Sequence, residues 1–154
     1  MRSVFFIVVG IFFGGCDSYT SPHQQFFEKP PDVQASEIHH YPLDEQISLM
    51  ILGMQQEPPQ NGLVAEVAKN GEVVLPTLLH RLPIVEDEHQ LGAILYCLLE
   101  IDLRHYEWKN DPKYVPLLQQ ELAKMTDSAL RQEATRAVLS GAASHSNFEK
   151  RPSD

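Results

Sequence analysis

The stretch EDEHQLGAILYCLLEIDL, residues 86–103, has the strongest helical pattern in this sequence. Three acidic residues open it, and they suit the positive N-terminal end of a helix dipole. Leucine and isoleucine then recur at spacings of three and four, and between Leu91 and Leu99 apolar side chains nearly encircle the helix axis. A helix that is apolar on most sides belongs inside a core. We therefore expect other helices to surround this one.

Segments on both sides of this stretch show the same period. Apolar residues recur at spacings of three and four in PLDEQISLMILGMQ, LVAEVAKNG, EVVLPTLLHRLP, NDPKYVPLLQQELAKM and TDSALRQEATRAVLSG. Helix-ending residues separate them, among them the pair Asn70 and Gly71, and Gly141. No segment alternates with the period of a strand. The sequence therefore predicts an all-α domain over residues 42–141.

Two neighbouring helix pairs in this domain repeat one outline. GEVVLPTLLHRLP followed by EDEHQLGAILYCLLEI has a Pro-x-Leu-Leu first helix, a polar turn and an Ala/Leu-rich second helix. YVPLLQQELAK followed by ALRQEATRAVLSG places Pro116 at an offset of 40 residues from Pro76. This outline resembles HEAT and armadillo repeats, which have units of this length. The resemblance implies short antiparallel helix pairs in a HEAT-like or armadillo-like array, and the alternative is an irregular helical bundle. Residues 41–82 also resemble the core of small bacterial proteins with no assigned activity.

The chain begins with a charged and then an apolar segment. Arg2 precedes residues 4–13, which are apolar or glycine, and Gly14, Gly15 and Cys16 follow. This layout is typical of a secretory signal. Ten helical residues reach about 15 Å, which is half of the ~30 Å hydrocarbon thickness of a bilayer. A stable membrane span is therefore disfavoured.

The junction FGGC resembles the lipobox of bacterial lipoproteins. The resemblance implies that residues 1–15 are a lipoprotein signal peptide, with Gly14 and Gly15 at the small positions beside the cut. Cys16 is then the lipidated residue and the mature N-terminus, held by two or three acyl chains. Asp17 resembles the signal that keeps enteric-type lipoproteins on the inner membrane. The expectation is a lipid-anchored protein of the bacterial envelope on the periplasmic face of the inner membrane.

Two segments lack a regular period. Residues 16–41 contain three prolines and mixed polarity, which is typical of a flexible tether between an anchor and a domain. The alternative is that Phe26 and Phe27 dock this segment on the domain. Residues 142–154 have no apolar face to pack, and we predict a disordered tail.

The charge of the chain limits its classes of partner. The sequence has 12 Lys and Arg against 21 Asp and Glu, for a net charge of −9. Nucleic acid needs clustered cations, so this charge argues against it as a partner. An acidic protein favours a basic protein partner through electrostatic steering. The residues predicted for the partner-binding face are Tyr106, Trp108, Tyr114, Glu86, Asp87 and Glu88.

Patterns that carry chemistry are few. The histidines include no His-x-x-x-His pair, and no Gly-x-Ser-x-Gly elbow or phosphate-binding glycine loop is present. We therefore predict no metal, no cofactor and no catalytic residue. Cys97 lies in an apolar run and is interpreted as a small buried hydrophobe. The sequence favours a protein-binding module, acting as an accessory, an inhibitor or an immunity-type lipoprotein. The alternative is a small envelope hydrolase that uses His105 with Glu100 or Asp102 as acid and base.

Overall fold

The computed structural model describes residues 22–104 and 108–139, and these ranges are helical throughout, with short connections. They contain eight α-helices: α1 (Pro22–Phe27), α2 (Pro31–Glu37), α3 (Leu43–Met54), α4 (Asn61–Ala68), α5 (Leu75–Arg81), α6 (Glu88–Leu103), α7 (Val115–Lys124) and α8 (Ser128–Leu139). Four single 3-10 turns lie between helices: Ile38–His40, Gly71–Val73, Leu82–Ile84 and Trp108–Asn110. No strand is present in these ranges. The fold is all-α, as the sequence predicts.

The helix that the sequence places inside the core, α6, packs against α3, α4, α5 and α8. It begins after Asp87, whose carboxylate accepts a hydrogen bond from the backbone N–H of Gln90 at 2.8 Å and so caps the helix. Its buried residues are Leu91, Ala93, Ile94, Cys97, Leu98 and Ile101. The apolar pattern of residues 86–103 therefore predicted both the start of this helix and its central place.

The helices α3 and α4 form an antiparallel pair. The Asn70 side chain, just beyond α4, donates to Gln46 Oε1 near the start of α3 at 3.1 Å. At the other end, Gly53 of α3 meets the start of α4 so closely that a Cβ there would lie 2.6 Å from Leu63 Cδ1. The chain leaves α4 through Gly71, whose φ of 55° lies in the left-handed region that glycine adopts readily.

The helices α5 and α7 run parallel to one another. The Tyr114 hydroxyl, just before α7, donates to Glu72 Oε1, just before α5, at 3.0 Å and across 42 residues of sequence. Near the ends of the two helices, His80 Nδ1 donates to Glu121 Oε1 at 2.9 Å, across 41 residues. The two hydrogen bonds join residues that are 42 and 41 positions apart in the sequence. Because this separation is nearly constant, the two helices run in the same direction.

Alternate helices form a row through the described part of the chain. In this row α2 contacts α4, α4 contacts α6, and α6 contacts α8. Each of these helices also contacts the helix that precedes it in sequence. The alternate helices of this row and the sequence neighbours therefore pack together in the core.

The structure corrects the prediction of a flexible tether for residues 22–41. This segment forms α1, α2 and a 3-10 turn, and Phe26 is 1% exposed. The Phe26 ring packs edge to face on Phe27 and Tyr41, with ring centroids 5.2 and 5.6 Å apart. The prolines of this segment suggested a linker. Pro31 instead lies in the first turn of α2, a position where proline favours the start of a helix. The docking alternative describes this segment correctly.

Several sequence predictions concern residues outside the described ranges. They are the signal peptide of residues 1–15, the lipidation and sorting residues Cys16 and Asp17, the tail of residues 142–154, and the side chains of His105 and Tyr106. Within the described ranges, no helix has the length and apolar content needed to cross a membrane.

Candidate functional site

The acidic turn formed by Glu86, Asp87 and Glu88 leads into α6, whose first residue is Glu88, and all three residues are exposed. Its backbone is fixed at both ends, because Asp87 caps α6 and the Gln90 side chain accepts a hydrogen bond from the Glu86 N–H at 3.2 Å. Ile84, two residues before the turn, is 63% exposed. The structure thus presents a fixed acidic surface with an exposed aliphatic side chain beside it.

A shallow cleft of about 50 Å³ opens beside this turn, and we call it the Ile84 cleft. Its lining residues are Ile51, Arg81, Ile84, Val85, Gln90 and Ile94. Cofactor and drug-sized ligand sites occupy about 300 Å³ or more, so this cleft suits the end of one aliphatic side chain instead. The sequence analysis missed the cleft, because its walls come from α3, from the end of the Leu82–Ile84 turn and from α6.

Arg81 is the cation among the lining residues, and other groups already engage it. Its Nη2 lies 3.6 Å from Asp44 Oδ1 and donates to Ser48 Oγ at 3.3 Å and to the Asp44 carbonyl at 3.4 Å. Asp44 and the three carboxylates of the acidic turn outnumber this one cation, which gives a local charge of 1 − 4 = −3. The net charge of these groups next to the Ile84 cleft is therefore negative.

The predicted aromatic part of the binding face is buried. Trp108 is 0% exposed, and its Nε1 donates to the Leu98 carbonyl of α6 at 3.2 Å. Tyr114 is 1% exposed and directs its hydroxyl to Glu72. These two rings fill the connection between α6 and α7, so the prediction that they present a partner-binding surface was wrong. Tyr106 lies outside the described residues.

The two carboxylates of the alternative acid–base site are both in ion pairs. Glu100 Oε2 lies 3.5 Å from Arg104 Nε, and Asp102 Oδ2 lies 2.8 Å from Lys109 Nζ. These pairs place cations at the C-terminal end of α6, where they complement the helix dipole. His105, the third residue of that hypothesis, lies outside the described ranges.

Cys97 is a free, buried cysteine in α6, which confirms its interpretation as a core residue. Burial, assisted by the negative charge of Glu100, raises the pKa of its thiol to about 12. The nucleophilic thiolate is therefore scarce at neutral pH. Within the described ranges, no group of three or more His, Cys, Asp and Glu side chains could hold a metal ion.

Glu121 bridges α5 and α7 through one carboxylate oxygen. Oε1 accepts from His80 Nδ1 at 2.9 Å and from Lys124 Nζ at 2.8 Å, and the Glu121 side chain is 2% exposed. Burial is the largest single influence and raises the pKa of Glu121, but the hydrogen bonds and charges of Lys124 and His80 together outweigh it. The pKa of Glu121 consequently lies below its ordinary value. The histidine is a structural partner here.

A matching bridge joins α4 to the 3-10 turn after α2. Glu66 Oε2 lies 2.8 Å from His39 Nε2 and accepts from Lys69 Nζ at 2.6 Å. Here too burial raises the pKa of the glutamate, and the lysine and histidine lower it further than burial raises it. The two glutamates share a Glu-x-x-Lys spacing on their helices, with the histidine supplied from an earlier element. The separations of 27 and 41 residues hid both bridges from the sequence analysis.

We expect Glu121→Gln to lower the free energy of unfolding by about 1 kcal/mol at neutral pH. The effect is small because water screens the half-exposed partners His80 and Lys124. A carboxyl group whose pKa falls on folding stabilises the protein above its ordinary pKa of 4.5, and this contribution is lost as the pH falls through the folded pKa. Urea unfolding should therefore show the difference between the two proteins shrinking below pH 4.5. Glu133→Gln, at an exposed position of α8, is the control. A difference that stays constant with pH contradicts the bridge.

No protein-family model, curated protein or solved structure matches this chain. Among the described residues, the Ile84 cleft and the acidic turn together combine exposure, apolar surface and a net negative charge. They form the candidate functional site.

Proposed function

We propose that this chain is a HEAT-like helical protein-binding module, lipid-anchored at Cys16 on the periplasmic face of the bacterial inner membrane. The observation that carries the binding proposal is the parallel pairing of α5 and α7 at a separation of 41 to 42 residues. The row of α2, α4, α6 and α8 extends this stacking. Arrays of this kind bury a continuous core and present extended surfaces to other proteins. An accessory, inhibitor or immunity-type role fits such a surface.

Capture from a bacterial envelope extract tests the binding function. The full chain, solubilised with its anchor, should retain the same protein in repeated captures at low salt and less of it at high salt, because an acidic module attracts a basic partner electrostatically. An unrelated lipoprotein of comparable size is the control, and the proteins that it captures are the background. Failure to retain any protein reproducibly at either salt concentration contradicts the binding function.

The anchor has its own test, which uses the two cysteines of the chain. Full-length protein made in bacteria should incorporate labelled palmitate, and Cys16→Ser should abolish the label. Cys97→Ala is the matched control and should keep it, because Cys97 is buried in α6. Inhibition of the lipoprotein signal peptidase should leave a precursor that retains residues 1–15. A mature protein of normal size from Cys16→Ser contradicts lipidation at this residue.

A further inference from the structure

We propose that the Ile84 cleft and the acidic turn form the docking site for a segment of a partner protein in which an aliphatic side chain lies between lysines or arginines. This inference rests on the proposed binding function and adds the surface and the chemistry of the partner. Three observations carry it: an exposed apolar side chain, a cleft beside it, and a net negative charge around the cleft.

The apolar part of the site has a definite shape. Exposed single hydrophobic residues are common on protein surfaces, but Ile84 borders a cleft that the partly exposed Ile51 also lines. A cleft of about 50 Å³ suits the end of a leucine, isoleucine or valine side chain. The buried neighbour Leu82 anchors the turn that carries Ile84. An aliphatic side chain of the partner would remove both itself and Ile84 from water.

The charge around the cleft selects the flanks of that segment. Arg81 alone would repel a basic segment. Its guanidinium, however, is paired with the Asp44 carboxylate and donates hydrogen bonds to the Asp44 carbonyl and to Ser48 Oγ. The net charge of Arg81, Asp44 and the acidic turn is 1 − 4 = −3. Exposed ion pairs add little affinity, yet they steer association and penalise a partner of the wrong sign. Lysine or arginine on either side of the aliphatic residue is the complementary chemistry.

The site is preformed. The Asp87 carboxylate accepts a hydrogen bond from the Gln90 N–H, and the Gln90 side chain accepts one from the Glu86 N–H. These two hydrogen bonds order the acidic turn against the start of α6. Binding to a surface that is already ordered avoids the entropy cost of ordering a loop. A short linear segment can therefore bind here without rearrangement of the array.

A selection from phage-displayed random peptides on the immobilised full chain tests the inference. We expect enrichment of peptides that carry an aliphatic residue flanked by Lys or Arg. Synthetic copies of the enriched peptides, measured by fluorescence polarisation, should bind Ile84→Asp at least about tenfold more weakly, as expected for a central contact. The double variant Glu86→Lys with Glu88→Lys should weaken binding and reduce its dependence on salt.

The chain offers matched controls for each change. Val73 is 72% exposed on the connection between α4 and α5, so Val73→Asp repeats the change at Ile84 away from the cleft. Glu133→Lys reverses an exposed charge on α8. Both should leave peptide affinity within about twofold of the original, a difference of less than one kcal/mol in binding. Ile84→Ala is the second variant if Ile84→Asp loses its helical circular dichroism.

Each outcome of the selection has a defined meaning. Enriched peptides that bind Ile84→Asp and Ile84→Ala as well as the original overturn the cleft assignment, while the proposed binding function stands. Enrichment of acidic or aromatic peptides, or of none, also overturns the assignment, and capture from the envelope extract then decides the binding function separately. Self-association of the chain that disappears in Ile84→Asp identifies a second copy as the occupant and overturns the basic partner.

Discussion

Replacing Trp108 with alanine should lower the free energy of unfolding by about 3–5 kcal/mol, the cost of removing a large buried aromatic side chain. Trp108 is 0% exposed and donates its indole N–H to the Leu98 carbonyl, so the change opens a cavity and removes a hydrogen bond between α6 and the turn that follows it. Trp108 is the only tryptophan of the chain, so unfolding in urea should be followed by far-ultraviolet circular dichroism.

Trp108→Phe separates the two contributions of this residue. Phenylalanine keeps most of the volume but lacks the N–H group, and the loss should be about 1–2 kcal/mol. The fluorescence of the unaltered protein should be that of an indole shielded from water and should shift to longer wavelength on unfolding. A loss below 1 kcal/mol for Trp108→Ala would instead favour the exposed aromatic face that the sequence analysis predicted, since surface substitutions have small effects.

Replacing Phe26 with alanine should cost about 3 kcal/mol, although Phe26 lies in a segment that resembles a linker. Its ring is 1% exposed and packs edge to face on Phe27 and Tyr41. Urea unfolding gives the energy, and amide hydrogen exchange over residues 22–41 shows whether α1 and α2 detach before the rest of the array.

Gln25→Ala is the matched control for this change, because Gln25 is an exposed residue of the same helix. It should change the free energy of unfolding by no more than about 0.5 kcal/mol. A flexible tether predicts equally small effects at Phe26 and Gln25, together with rapid exchange throughout residues 22–41 even in the unaltered protein.

The helices that the sequence predicted best are those long enough to show a period. In α6 the apolar positions recur over 16 residues, and the acidic cap marks the start, so both type and place follow from the pattern. By contrast α1 and α2 have 6 and 7 residues, fewer than two full turns. Their helical period is too short to recognise, and their prolines are equally compatible with a linker and with a helix start.

The candidate site shows a different limit of sequence analysis. The acidic turn was predicted to lie on the partner-binding face, and Glu86, Asp87 and Glu88 are exposed. Aromatic residues are enriched both in binding faces and in cores, so composition could not show that Trp108 and Tyr114 are buried. The exposed Ile84 was missed for the opposite reason, because an isoleucine between apolar neighbours does not reveal which way it faces.

If the chain is lipid-anchored, the packing of α1 onto the other helices sets the distance between the anchor and the domain. If Cys16 carries the lipid, six Cα steps join it to Pro22, where α1 begins, and fully extended chain covers about 20 Å over that number of steps. A connecting segment of this length keeps the domain close to the bilayer surface. Near that surface its effective concentration towards membrane-associated proteins is high, whereas proteins that stay further away are beyond its reach. With such an anchor, the short connection selects partners by their distance from the membrane, in addition to any selection by shape and charge.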